Sequence, residues 1–125
     1  MTLLLDTHVL LWWLDDPSLL SEAAHSAIAD GGNPVLVSAA VAWEIAVQKA
    51  LGKLEAPDDL AEVLQQERFE ELPIRIRHAL AVASLPAIHQ DPFDRIRVAQ
   101  AQLEGLTLVR RDRRMQRYDV RCLRA

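Results

Sequence analysis

Four acids stand where chemistry is possible: Asp6, Glu44, Asp94 and Asp112. Asp6 ends the apolar run Leu3 to Leu5, and Asp112 follows the apolar run Leu106 to Val109. Asp94 falls in the first turn of a helix whose start is marked by Asp91 as cap and Pro92 behind it. Glu44 lies inside an apolar helical stretch, with Ala40, Val41, Val47, Gln48 and Leu51 on its face. A carboxylate in a core-facing stripe costs several kcal/mol unless it is paired or bound to a metal. Four such groups brought together repel, and need protons, arginines or a cation between them. An all-oxygen donor set suits Mg²⁺ or Mn²⁺ better than zinc. An ion of that kind meets substrate phosphates and activates bound water, so the implied reaction is hydrolysis of a phosphodiester. Plainer roles stay open: Asp6 and Asp112 are placed to cap the helices after them, and Asp94 suits a helix N-terminus.

The elements that would gather these acids follow from the pattern. Leu3 to Leu5 reads as a buried strand, followed by an apolar helix from His8 to Leu14 that Pro17 stops. Ser21 caps a second helix, which Gly31-Gly32 ends, and Val35 to Val37 is a second strand. Ser38 caps a helix through Leu51, and Asp58 opens another towards Phe69. Leu72 to Ile74 is a third strand, at an edge only because of Pro73. Arg75 to Ser84 is helical, and the helix at Pro92 runs to Leu103 with Gly105 behind it. Leu106 to Val109 is a fourth strand, a short helical turn follows Asp112, and Val120 to Leu123 is a fifth strand. Strands alternating with helices imply a parallel sheet covered on both faces, with ligands bound beyond the carboxyl ends of its strands. Asp6 and Asp112 sit at that edge, and helices starting there bring Asp94 and Glu44 to it.

The chain has 125 residues, the size of one domain spanning 1–125, and a hydrophobic share of 50%. Its one cysteine, Cys122, allows neither an internal disulfide nor a cysteine zinc site. No basic segment precedes the first apolar run, and no apolar stretch approaches the ~18 residues of a membrane span. A cytoplasmic protein without a membrane role is expected. The net charge of −4 is unevenly spread, for nine of the 14 Lys and Arg follow Asp94. Arg110, Arg111, Arg113, Arg114 and Arg117 bracket Asp112 and are candidate contacts for an anionic substrate, with pairing to the acidic body or to another chain as the equal alternative.

At these same residues the sequence resembles the PIN-domain nucleases, in particular the VapC toxin branch of bacterial toxin–antitoxin pairs. The resemblance rests on LLLDTHVLLWWL (3–14), WEIAVQKALGKL (43–54), HALAVASLPAIHQDPFDRIRVAQA (78–101) and LVRRD (108–112), which carry Asp6, Glu44, Asp94 and Asp112 in order. It implies a three-layer α/β/α sandwich with a central parallel sheet of four to five strands. It also implies Mg²⁺ or Mn²⁺ held by the four acids, endoribonuclease activity on transfer RNA or another structured RNA, a homodimer, and a cognate antitoxin. One position departs from that family, which has Thr or Ser where Arg110 stands. A guanidinium donates five hydrogen bonds and accepts none, so Arg110 is expected to pair with an acid of the cluster and displace cation charge. That departure supports a rival reading, a weakened module that binds RNA or an antitoxin without cutting. A haloacid-dehalogenase phosphatase would need an acid at position 8, which is His8.

Among the remaining candidates, His8 lies near Asp6, with a substrate contact as its minor alternative, His78 and His89 are expected in structural hydrogen bonds, and Asp91 as a cap. Trp12, Trp13 and Trp43 are expected in core or interface packing rather than in base stacking.

Overall fold

Leu3, Leu4 and Leu5 are all fully buried, as a strand must be when helices cover both faces of its sheet. The computed structural model describes residues 1–125, and these three leucines form β1 (Leu3–Leu5) at the centre of a five-stranded sheet. β2 (Val35–Ser38) and β4 (Thr107–Arg110) flank it, with β3 (Glu70–Leu72) and β5 (Cys122–Arg124) at the edges, and every pairing is parallel. Side chains alternate across the sheet. Leu3, Leu5, Val35, Val37 and Val109 enter one core with α1 (Thr7–Asp15), α2 (Glu22–Ala29) and α3 (Ala39–Ala50), and α4 (Leu60–Gln66) packs there too. Leu4 and Leu108 enter a second core with α6 (Pro92–Glu104), against which α5 (Ile76–Ala81) rests. The result is the expected α/β/α sandwich.

The strand order β3-β2-β1-β4-β5 reverses direction of growth between β1 and β4. A crevice opens at such a switch point, beyond the strands' carboxyl ends. Asp6 ends β1 and Asp112 lies just past β4, so these acids stand on either side of it.

Caps place the helix starts. Asp6 accepts the Thr7 N–H at 2.7 Å, Ser38 accepts the Ala40 N–H at 3.0 Å, and Asp91 accepts the Phe93 N–H at 2.8 Å. Gly105 closes α6 in the left-handed region at φ 67°, where it has no Cβ to strain.

The third strand is displaced from expectation. It covers Glu70–Leu72 rather than Leu72 to Ile74, because Pro73 has no N–H for the ladder. The helix before it ends early as well. Arg68 adopts φ 61°, and the Phe69 N–H bonds back to the Leu64 carbonyl at 3.0 Å, which closes α4 and frees Phe69 to pack on the first core. Glu70 and Glu71 are exposed, as suits an edge strand.

Candidate active site

Three of the four acids meet at the switch point, and they meet on an arginine. Arg97 is on α6, three residues after Asp94, so the two share a helix face. Its side chain is 1% exposed. Nη1 donates to Glu44 Oε1 at 3.0 Å and to Thr7 Oγ1 at 2.9 Å, while Nη2 donates to Asp94 Oδ1 and forms an ion pair with Asp6 Oδ1 at 2.7 Å. Thr7 also donates its hydroxyl to Glu44 Oε1 at 2.5 Å. Burial alone would pull the Arg97 pKa down, but the charges of Asp6, Asp94 and Glu44 hold it above its ordinary value.

Asp112 joins through His89. The His89 Nδ1 accepts the Asp91 N–H at 3.1 Å, which leaves the ring proton on Nε2. That Nε2 lies 2.9 Å from Asp94 Oδ2 and 3.3 Å from Asp112 Oδ2, so one ring bridges two acids. The His89 backbone N–H donates to the Tyr118 hydroxyl at 2.9 Å, which fixes the loop. Arg114 forks onto Asp112, and this hydrogen bonding holds the Asp112 carboxyl down at about 2.

Asp94 is shifted the other way, up to about 6. Burial is the main cause, the Arg97 charge opposes it, and Asp6 and Asp91 add to it. The native state therefore holds a proton that the unfolded chain releases near its ordinary 3.8. Stability is expected to fall as pH rises from about 4 to 6 and to level above that, by up to about 3 kcal/mol. Urea denaturation of metal-free protein across that window checks it: Asp94→Asn is expected to lose the decline, and an identical decline in the variant contradicts the assignment.

The acids line a cleft of about 380 Å³ that also takes in Asp91, Arg111, His8 and Trp12. A larger cavity of about 670 Å³, between α3 and α4, is mostly apolar and holds none of these acids. In kind the donors fit a hard divalent cation: the carboxylates of Asp6, Glu44, Asp94 and Asp112, with no sulfur among them. No three His, Cys, Asp or Glu side chains are drawn around one point to hold a metal ion. Asp6, Glu44 and Asp94 instead each turn an oxygen to Arg97.

The expected caps and the expected cluster prove compatible. Asp6 and Asp112 both cap, and the cap geometry aims them at the shared edge. The stripe around Glu44 is less buried than expected, since Val47 and Leu51 are exposed; Glu44 is sheltered by Thr7 and Arg97. Arg110 does not enter the cluster. It is 5% exposed on β4 and donates to Gln116 Oε1 at 2.9 Å. The arginine that pairs with the acids is Arg97, and its signal was an arginine on the inward face that Asp94 shares with Val98 and Ala101.

The other arginines divide. Arg111 stacks on Trp12 at 4.4 Å and donates to the backbone oxygens of Leu19 and Ala125. Arg114 is engaged by Asp112, while Arg113 and Arg117 are exposed without ion pairs. They sit on a 3₁₀ turn, where residues three apart eclipse, so Arg113 does not share a face with Arg117 as α-helical spacing would have it. Trp12 and Trp13 are partly buried against the first core, as expected, but Trp43 is 59% exposed and packs edge-on to Phe93 at 4.9 Å. His78 is buried, bonded to Glu104 at 2.8 Å and to the Arg75 N–H.

Residues 3–121 match the family described as PIN domain. The ribonuclease VapC22 of Mycobacterium tuberculosis is 34% identical over 121 residues, covering 94% of this chain and 92% of its own. Among solved structures, VapBC2 of Rickettsia felis bound to a promoter DNA fragment aligns at a TM-score of 0.74 and 15% identity, over 100% of this chain and 99% of that one. FitAcB of Neisseria gonorrhoeae aligns at 0.66 and 22% identity, over 97% and 96%. At those identities the two structures speak for the fold.

Proposed function

The chain belongs to the PIN-domain family, and from that premise we propose that it is a Mg²⁺- or Mn²⁺-dependent endoribonuclease toxin, neutralised by a cognate antitoxin. The observation that carries the reading is the meeting of Asp6, Glu44 and Asp94 from three separate elements at the switch point, with Asp112 joined to them by His89. The identity to a named ribonuclease supports the reaction, and VapBC2 and FitAcB among the structural neighbours support an antitoxin partner. A transfer RNA or another structured RNA is the proposed substrate, and a homodimer the proposed assembly.

Asp6, Glu44, Asp94 and Asp112 are the residues that would hold the ion. When bound there, it would supply an activated water and stabilise charge on the phosphoryl oxygens. The protein's own groups do the positioning. Thr7 orients Glu44, and the Nε2–H of His89 keeps Asp94 and Asp112 facing one another. Arg111 stands in the cleft wall, braced by Trp12. Arg110 lends no support to a silenced binding module, because its guanidinium meets Gln116 and no acid of the cluster.

Expressing the chain without an antitoxin and sequencing cellular RNA ends tests the reading. New ends bearing 5′-phosphate are expected for the wild type and not for Asp6→Asn. Identical end profiles from the two would rule out the proposed site.

Of the five arginines around Asp112, Arg113 and Arg117 are exposed and make no ion pair or side-chain hydrogen bond, and are the proposed contacts for RNA phosphates. The double variant Arg113→Gln/Arg117→Gln is expected to weaken RNA binding for all sequences alike. It should also lower the slope of log K against log salt by about 1–2. Filter binding across a salt series measures this, and an unchanged slope would place the RNA elsewhere.

A further inference from the structure

The acid site carries a positive charge of its own. One guanidinium takes an oxygen from Asp6 at the end of β1, one from Glu44 on α3 and one from Asp94 on α6. It is buried, and its Nε has no partner, so the side chain is placed by the carboxylates and not by full use of its own donors. Arginine does not deprotonate in a protein, so it cannot yield its place by losing charge. A divalent cation entering the site must take oxygens that Arg97 already binds, and it meets like charge at close range.

From this geometry we infer that Arg97 is a resident counter-cation of the site, which holds Asp6, Glu44 and Asp94 together without metal and lowers the affinity for Mg²⁺ or Mn²⁺. The inference rests on the proposed function only for which ion is meant, not for RNA cleavage. Metal entry is then a displacement, with the guanidinium leaving at least one carboxylate. The consequence is an acid site ordered in the metal-free protein and filled only at high ion concentration.

Calorimetric titration of the full chain with MnCl₂ tests it. Arg97→Met keeps an unbranched apolar stem and removes the guanidinium with its charge, and is expected to bind Mn²⁺ at least about tenfold more tightly than wild type. Arg97→Lys keeps the charge and should stay within about threefold. Arg110→Thr, which removes a positive charge that touches no acid of the cluster, should stay within about twofold. Equal or weaker Mn²⁺ binding by Arg97→Met overturns the inference, as does an absence of binding in every protein. If Arg97→Met does not fold, the wild type answers directly by nitrogen-15 NMR. The Arg97 Nε–H resonance is expected to shift on adding Mg²⁺ while that of Arg95, bonded to backbone carbonyls, stays in place. An unmoved Arg97 resonance at saturating Mg²⁺ overturns the inference. RNA cleavage measured in parallel separates the two readings. Cleavage with unaltered Mn²⁺ affinity in Arg97→Met removes the counter-cation and leaves the nuclease, whereas tightened Mn²⁺ binding without cleavage does the reverse.

Discussion

Asp6→Asn, Glu44→Gln and Asp94→Asn are each expected to lower RNA cleavage by roughly 10²–10³-fold, while near-ultraviolet circular dichroism stays that of the wild type. Each replacement keeps the shape of the side chain and removes one charge from a set whose proposed joint task is to hold a cation. A site cation contributes several kcal/mol of charge stabilisation in the transition state. At about 1.4 kcal/mol per decade, losing much of that stabilisation corresponds to the stated loss in rate. The fold is expected to survive because Arg97 keeps two of its three acidic partners in every single variant. Undiminished cleavage by the purified variants would remove these acids from the mechanism.

Arg97→Ala is expected to destabilise the metal-free protein by about 3–5 kcal/mol, the usual cost of stripping one partner from a buried ion network. The loss is electrostatic in origin. Asp6, Glu44 and Asp94 would face one another with no guanidinium between them, and the Thr7 hydroxyl would be the only group left on Glu44. Urea denaturation in the presence of a chelator measures it. Mn²⁺ should restore part of the stability in the variant, because a bound ion adds to folding in proportion to its occupancy. A loss below about 1 kcal/mol would mean that protonation, with Asp94 already raised to about 6, relieves the repulsion on its own.

These two outcomes together decide between a site organised by its acids alone and one organised by acids and arginine jointly. In the first case charge removal at any acid would relieve strain and Arg97 would be dispensable. In the second the acids and Arg97 depend on each other, and their variants are non-additive in stability. The contacts favour the second, since a single guanidinium reaches three carboxylates from elements distant in the chain.

Much of the architecture was legible from local signals. The cap before α2, α3 and α6, the proline at the start of α6 and the glycine at its end each mark a boundary by a rule that involves only neighbouring residues. The all-apolar Leu3 to Leu5 run required a strand covered on both faces, and the parallel sheet followed. The edge position of β3 was readable from Pro73. Its register was not, because α4 closes through a left-handed Arg68, a conformation that no common cap residue announces.

The site divides along the same line. Asp6, Glu44, Asp94 and Asp112 were determined as candidates by sequence alone, because strand ends and helix starts are local, and a parallel sheet sends them to one edge. Tertiary structure decided which cation meets them. Arg110 stood beside Asp112 in the chain and was expected in the cluster, yet it turns to Gln116, and Arg97 occupies the centre instead. Tertiary structure also made His89 a bridge between Asp94 and Asp112, and left Arg113 and Arg117 exposed while Arg111 and Arg114 are engaged. The physical reason is range. Caps and helical faces depend on residues within one turn, whereas the partner of a buried charge depends on which strands lie side by side. Arg97 meets Thr7 across 90 positions and Glu44 across 53, separations that only the packed sheet brings within a hydrogen bond.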